Sequence, residues 1–268
     1  MVRSMNDIDK SLFNMNNMDE MSLNNTILHR VHPFAKLIVT ILYIIFVLSI
    51  DKYDIGGHLP FIFYIIIYFI LSDIPFGALF KRSLIAIPFV LGIGIFDLIL
   101  NKKVFIDLMN IKITYGFISF LTLFIKTELT VLASLLFVST TGIYKIALSL
   151  KMIKVPEIII FQILLTYRYI NLLINEIKRA YIAYRLRSPQ TNGLKKEVWG
   201  SFLGNILIRT MEKANMIYLA MKLRGGKFSV GILPRMYIFD YLYIIFWLLF
   251  FIIIRCFNIV EYLGNLVF

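Results

Sequence analysis

Two stretches of this sequence share one phrase, YIAYRLRSP at 181–189 and YLAMKLRGG at 218–226. Each reads Tyr, a branched apolar residue, Ala, any residue, a base, Leu, Arg, then a residue that breaks a helix. Each therefore places a guanidinium, Arg187 or Arg224, in the last turn of a helix. For one such cation the helix dipole is reason enough, since it favours positive charge at a C-terminus by about 0.3–1 kcal/mol. The duplication points further. A guanidinium is a planar fork that grips a carboxylate through two parallel hydrogen bonds. Two such tips suit a chain that plugs into acidic grooves on two copies of a partner.

Other chemistries find weaker support. His29, His32 and His58 lack a carboxylate or second imidazole at ligand spacing, so they define no metal site. The single cysteine, Cys256, excludes a disulfide framework and a cysteine metal cluster. Lys126 and Glu128 lie inside an apolar block and are candidates for intramembrane polar contacts, because an unpaired charge there is costly. Two residues apart, they point to opposite sides of a helix, so each needs its own partner on a neighbouring helix or subunit unless the span is tilted and partly wet. Asp97 falls near the end of another block. Gly92 and Gly94 would allow close helix approach, in this chain or to another. No H-E-x-x-H, paired carboxylates or Ser/Lys or Ser/His signature is present, which argues against a membrane enzyme. A phosphate-binding loop is missing too, since RGGKFS at 224–229 lacks the Walker spacing.

The arginines must be carried by long helices. Ile163, Tyr167, Ile170, Ile174, Ile177, Tyr181 and Tyr184 recur at spacings of four and three, one apolar stripe on a helix. Arg168, Asn171, Asn175, Lys178 and Arg185 take its polar face. That helix should stop near Ser188, because Pro189 disfavours helical geometry in the residue before it. A second runs from about Lys195 to Arg224, with Trp199, Phe202, Leu203, Ile206, Ile217 and Met221 on its apolar side, and Gly225-Gly226 ends it. Both read as basic, amphipathic rods not apolar enough to span.

The rest is oily. Of 268 residues, 59% are hydrophobic and 16% charged, against about 25% charged in soluble domains. Five apolar blocks are long enough to cross a bilayer: Phe34–Ile50, Ile55–Leu71, Leu84–Leu100, Ile113–Val138 and Tyr237–Ile254. No secretory signal is visible in the polar residues 1–28. Residues 176–235 hold 12 Lys and Arg against three acids, a net +9 of the chain's +12. Lys/Arg-rich segments beside spans stay in the cytoplasm, which sets the N-terminus inside and the C-terminus outside. Lys102, Lys103 and Lys112 then lie outside, outweighed by the basic block. The interrupted segment Thr141–Leu173 reads as one or two helices at the inner membrane face.

LRS at 186–188 and LRG at 223–225 resemble the paired Arg motifs of the transmembrane (T) components of energy-coupling factor (ECF) transporters. LLTYRYINLLINEIKRAYIAYRLRS, GNILIRTMEKANMIYLAMKLRGG and the amino-terminal LHRVHPFAKL at 28–37 are similar to the cobalt-type branch, the CbiQ family. Phe34 stands where that branch commonly has a base. The resemblance implies a non-catalytic subunit that ties a substrate-binding membrane subunit to two cytoplasmic ABC ATPases. Arg187 and Arg224 would then be the ATPase-coupling residues, with Leu186, Ser188, Leu223 and Gly225 shaping the tips. The implied partners are two CbiO-like ATPases, a CbiM-like metal-binding subunit and a small CbiN-like subunit. ATP and magnesium would sit on the ATPases, leaving no cofactor or metal on this chain.

The expected fold is thus an all-α integral membrane protein of about five transmembrane helices plus cytoplasmic amphipathic coupling helices. It divides into a polar N-terminal cytoplasmic segment (1–33), transmembrane helices one to four (34–138), a cytoplasmic coupling domain (139–235), and a C-terminal transmembrane helix and tail (236–268), in the cell membrane. Alternatives are a general T component serving vitamin-binding subunits and a nickel-type system. A stand-alone permease would want inverted repeats or broken membrane helices, and a nucleic-acid binder has no need of five spans.

Overall fold

Pro33 opens the first long helix. Its fixed φ and missing N–H suit the first helical position, and the His32 ring Nδ1 accepts the Phe34 N–H at 3.2 Å as an N-cap. In the computed structural model, which describes residues 26–101, 104–108, 111–188, 194–225, 231 and 234–256, the chain forms two units. One is Glu20–Gly142 with Pro234–Phe268, the other Ile143–Leu233. The fold is overwhelmingly helical, as expected. Pro189, Gly226, residues 1–25 of the expected N-terminal segment and residues 257–268 of the expected tail lie outside the described residues.

In the first unit, a short helix α1 (Ile27–Arg30) precedes α2 (Pro33–Leu48), α3 (Phe61–Ser72), α4 (Phe76–Ser83), α5 (Ile87–Leu100), α6 (Tyr115–Thr141) and α10 (Ile238–Cys256). Each of the five expected apolar blocks is mainly helical, although Ile113 and Thr114 lie in a strand. Leu79–Ile99, Tyr115–Thr141 and Ile238–Cys256 are long and apolar enough to cross a membrane, whereas Pro33–Leu48 and Gly56–Ser72 are shorter apolar helices. The connector SDIPFGALFKR turns at Asp73, which adopts a left-handed φ of 52°, and then becomes helical as α4. Between α5 and α6 lies an antiparallel hairpin, β1 (Val104–Leu108) with β2 (Ile111–Thr114), paired Leu108 to Ile111 and Asp107 to Lys112. Its β-branched valine and isoleucines favour extended backbone, but the strands are too short to have stood out from the adjoining block.

Aromatic rings fill the core of this unit. Tyr43, Phe61, Tyr64, Tyr68, Trp247 and Phe251 are all buried. Tyr43 and Tyr64 stack at 4.4 Å between centroids, and Trp247 meets Tyr64 edge-on at 4.7 Å. Offset and edge-to-face pairs of this kind add about 0.5–1.5 kcal/mol beyond the area they bury. The Tyr43 hydroxyl donates to the Phe61 carbonyl at 3.2 Å, which gives its polar tip a partner.

The second unit holds α7 (Ile143–Ser149), α8 (Glu157–Arg187) and α9 (Trp199–Leu223). Over Thr141–Leu173, where the sequence suggests one or two helices at the inner membrane face, the helices divide differently from that expectation. After α7 a single turn closes at Lys154 with a left-handed φ of 63°, Pro156 caps, and one helix runs unbroken from Glu157 to Arg187. EIIIFQILLTYRYINLL is therefore the first half of the rod itself. The rod has 31 residues, about 46 Å at about 1.5 Å per residue. It is also, by length and composition, apolar enough to cross a membrane, contrary to the sequence expectation. Its predicted stripe is mostly turned inward, with Tyr167, Ile170, Ile174, Ile177, Tyr181 and Tyr184 half-buried, although Ile163 is exposed. In α9 Ile206 is buried and Phe202, Ile217 and Met221 half-buried, whereas Trp199 and Leu203 face outward.

Candidate functional site

Each rod ends on its arginine. Arg187 is the last residue of α8, and the Ser188 N–H turns back to the Tyr184 carbonyl at 3.0 Å. Arg224 caps α9, its N–H reaching the Ala220 and Met221 carbonyls, both at 3.2 Å. Gly225 follows at φ +98° with its N–H on the Lys222 carbonyl at 3.1 Å. That positive φ explains glycine here, since an added Cβ would meet nothing within 4 Å but would be strained in this backbone. Both guanidinium-bearing residues are exposed. The leucines before them, Leu186 at 79% and Leu223 at 88% exposed, are the two most exposed large apolar residues described in this unit. Each tip thus offers a charged fork and an uncovered apolar side chain side by side.

A residue that the sequence reading only counted among the acids joins the rods. Glu176 of α8 is buried, and its Oε1 accepts from Arg209 Nη1 at 3.4 Å while Oε2 pairs with Lys213 Nζ, both on α9. Arg209 and Lys213 are one turn apart and share a face. The available signal was compositional: Glu176 is one of three acids among the fifteen charged residues of 176–235. Beside this pairing an apolar groove of about 580 Å³ opens between the two helices, lined among others by Leu165, Tyr169, Leu173, Ala214, Ile217 and Met221.

In the other unit, Lys126 and Glu128 stand in different surroundings. Lys126 Nζ donates to the Ile50 carbonyl, and Arg255 Nη2 donates to the Ser49 carbonyl at 3.0 Å. These carbonyls lie just past the end of α2, where a helix leaves acceptors without internal partners. In a membrane such groups must be satisfied by protein, so two cations terminate this short helix. Glu128 Oε2 is buried without a hydrogen-bond partner among the described residues. Asp97 accepts from Asn101 Nδ2 at 3.0 Å and from the Ser119 hydroxyl, tying α5 to α6. Gly94 does mark a close approach, to the Phe120 ring, while Gly92 meets nothing.

The histidines serve local structure. His29 Nδ1 lies 2.6 Å from the Thr26 hydroxyl, and His58 Nδ1 lies 2.6 Å from the Asp54 carbonyl. With its Nδ1 accepting from Phe34, His32 carries its proton on Nε2 and donates it to the Pro234 carbonyl at 3.0 Å. The His32 N–H in turn reaches Asp240 Oδ1 at 2.8 Å, and Asp240 Oδ2 accepts the Tyr237 N–H at 2.8 Å. Lys36, fully buried, donates from Nζ to the Thr140 carbonyl at 3.1 Å. The LHRVHPFAKL stretch is thereby a latch between the start of α2, the start of α10 and the end of α6. No group of three or more His, Cys, Asp or Glu is placed to hold a metal ion among the described residues.

A helical bundle with several apolar spans, joined in sequence to a pair of basic rods, defines a multi-pass membrane protein. The chain belongs to the CbiQ family of cobalt transport proteins, whose pattern it matches over residues 24–230, and so is a membrane transport component. It is 32% identical over 166 residues to an uncharacterized protein of Methanocaldococcus jannaschii, a match covering 58% of this chain and 56% of that protein. The chain thus spans about half the length of the curated relative it matches.

Proposed function

We propose that this chain is the transmembrane coupling subunit of an ECF-type importer for cobalt. In this role it passes ATP-driven motion from two cytoplasmic ATPase subunits to a substrate-binding membrane subunit. One observation carries the reading: two rods, tied together through Glu176, each end in an exposed Leu-Arg-small tip. The tips dock into the CbiO-like ATPases, which hold ATP and magnesium. The apolar helices carry the bundle beside a CbiM-like subunit and a small CbiN-like one. This chain performs no chemistry of its own, and its family's description supplies the cobalt assignment.

Force transmission requires the arginines to be desolvated on docking. Solvent-exposed ion pairs contribute only about 0–1 kcal/mol each, whereas truncating one member of a buried charged pair costs about 2–5 kcal/mol. Arg187→Ala and Arg224→Ala are therefore expected to weaken ATPase attachment by about 2–5 kcal/mol each, the double variant retaining least. The check is purification of the tagged chain in mild detergent with its genomic neighbours, scoring bound ATPase and metal uptake by cells. Normal uptake by the double variant rejects the role.

A further inference from the structure

Glu176 precedes Arg187 by eleven residues, and Lys213 precedes Arg224 by eleven. At about 1.5 Å per residue, both tips lie about 16 Å beyond the pairing. We propose that Glu176 is the fulcrum of the two rods, a buried carboxylate that fixes where they cross and so sets the spacing of Arg187 and Arg224. The proposal rests on the coupling role given above and deepens it.

The geometry suits a pivot. Each carboxylate oxygen has its own cation, Oε1 with Arg209 and Oε2 with Lys213, so the contact constrains direction as well as position. It is also one acid gripped by two bases of a single face, and no apolar contact specifies a crossing point so sharply. The arms beyond it are equal in length, so a change in crossing angle moves both tips alike. The apolar groove supplies the room for that change. It lies between the arm of α8 before the fulcrum, lined from Phe161 to Leu173, and the arm of α9 beyond it, lined from Thr210 to Met221. For two straight rods crossing at a point, the angle at this groove and the angle between the tips are supplementary. Tips drawn together widen the groove, and tips driven apart close it. Glu176 is thus a positioning residue: it lies about 16 Å short of either tip and fixes how tip motion and groove opening exchange.

The test reads tip spacing directly. Nitroxides at Ala183→Cys and Ala220→Cys, each four residues before its arginine, are placed on a Cys256→Ser background in the full chain, in lipid nanodiscs. Pulsed electron resonance is expected to give one narrow distance distribution. Glu176→Gln should broaden or shift it, and the charge exchange Glu176→Lys with Lys213→Glu should narrow it again. Arg209→Gln and Lys213→Gln, each leaving one cation, should broaden it less, which keeps the test open if Glu176→Gln misfolds. In the assembled transporter, Glu176→Gln should retain ATPase binding because the tips are intact. Its uptake per ATP hydrolysed should fall about two- to thirty-fold, the range seen when coupling elements are altered, and the charge exchange should recover it. A Glu176→Gln distribution as narrow and as centred as the parent's overturns the fulcrum, as does failure of the exchange to restore it. Because distances are read on this chain alone, that result leaves ATPase docking standing. Loss of docking would show instead as absent ATPase in the purified complex.

Discussion

At the residue scale, most of the polar side chains that invite a chemical reading end helices instead. Asp240 shows why this matters for stability. Its two carboxylate oxygens accept N–H groups from separate parts of the chain, His32 and Tyr237. A buried donor left without a partner costs about 1–3 kcal/mol. Asp240→Ala strands both and should lower the melting temperature of the purified protein, measured by thermal shift in detergent. Asp240→Asn keeps one accepting oxygen and should lose less. An unchanged melting temperature in Asp240→Ala would show that the latch contributes nothing to stability. The residue types at these positions were legible, but their partners were not. Lys36 and Thr140 are 104 positions apart and His32 and Asp240 are 208 apart, and helical periodicity assigns a face without naming what lies across it. The arginine tips were legible because their signal is local, a helix-ending phrase written twice.

At the scale of elements, the five apolar blocks and the two rods could be located because long runs and i, i+3, i+4 spacing survive in a single sequence. The start of α8 could not, since Lys145, Lys151 and Lys154 interrupt the apolar run and hide the fact that a turn ends before Pro156. The α5–α6 contact was half visible, in that glycines mark close approach but not which glycine makes it. Gly92 and Gly94 drew the suspicion, yet the tightest backbone contact belongs to Gly116. A Cβ there would stand 2.6 Å from the Asp97 carbonyl oxygen and 3.1 Å from the Leu98 Cα. Those atoms are backbone and cannot rotate aside, so Gly116→Ala must push the helices apart, at the cost of about 1–3 kcal/mol typical of overpacking. Gly92→Ala, which meets nothing within 4 Å, should change stability by no more than about 0.5 kcal/mol. Side-by-side thermal melts of the two variants decide it, and equal melts would contradict the packing described.

At the scale of the whole molecule, the open choice is one of parity. Four described helices have the length and composition of a membrane span, and α8 is one of them. Counting α8 with the two shorter apolar helices gives six crossings; setting it at the inner face gives five. Hydropathy favours neither count, because the apolar half of α8 is continuous with its charged half. Charge distinguishes them. If the N-terminus is inside and α8 crosses, Arg209, Lys213, Lys222 and Arg224 move to the exterior with much of the +9 that residues 176–235 carry, against the rule that such segments stay in the cytoplasm. The tips would also face a compartment without ATP. We therefore expect five crossings, with α9 inside and the C-terminal end of α10 outside. The chain carries its own reporter, since its single cysteine, Cys256, is exposed at that end. A membrane-impermeant maleimide should label Cys256 in intact cells. On a Cys256→Ser background, a cysteine replacing the exposed Glu212 of α9 should be labelled only after the membrane is opened. Labelling of the Glu212→Cys variant in sealed cells would put the arginine tips outside and end the case for ATPase coupling. Silence of Cys256 in sealed cells, with labelling after lysis, would put the C-terminal end of α10 inside and contradict this topology.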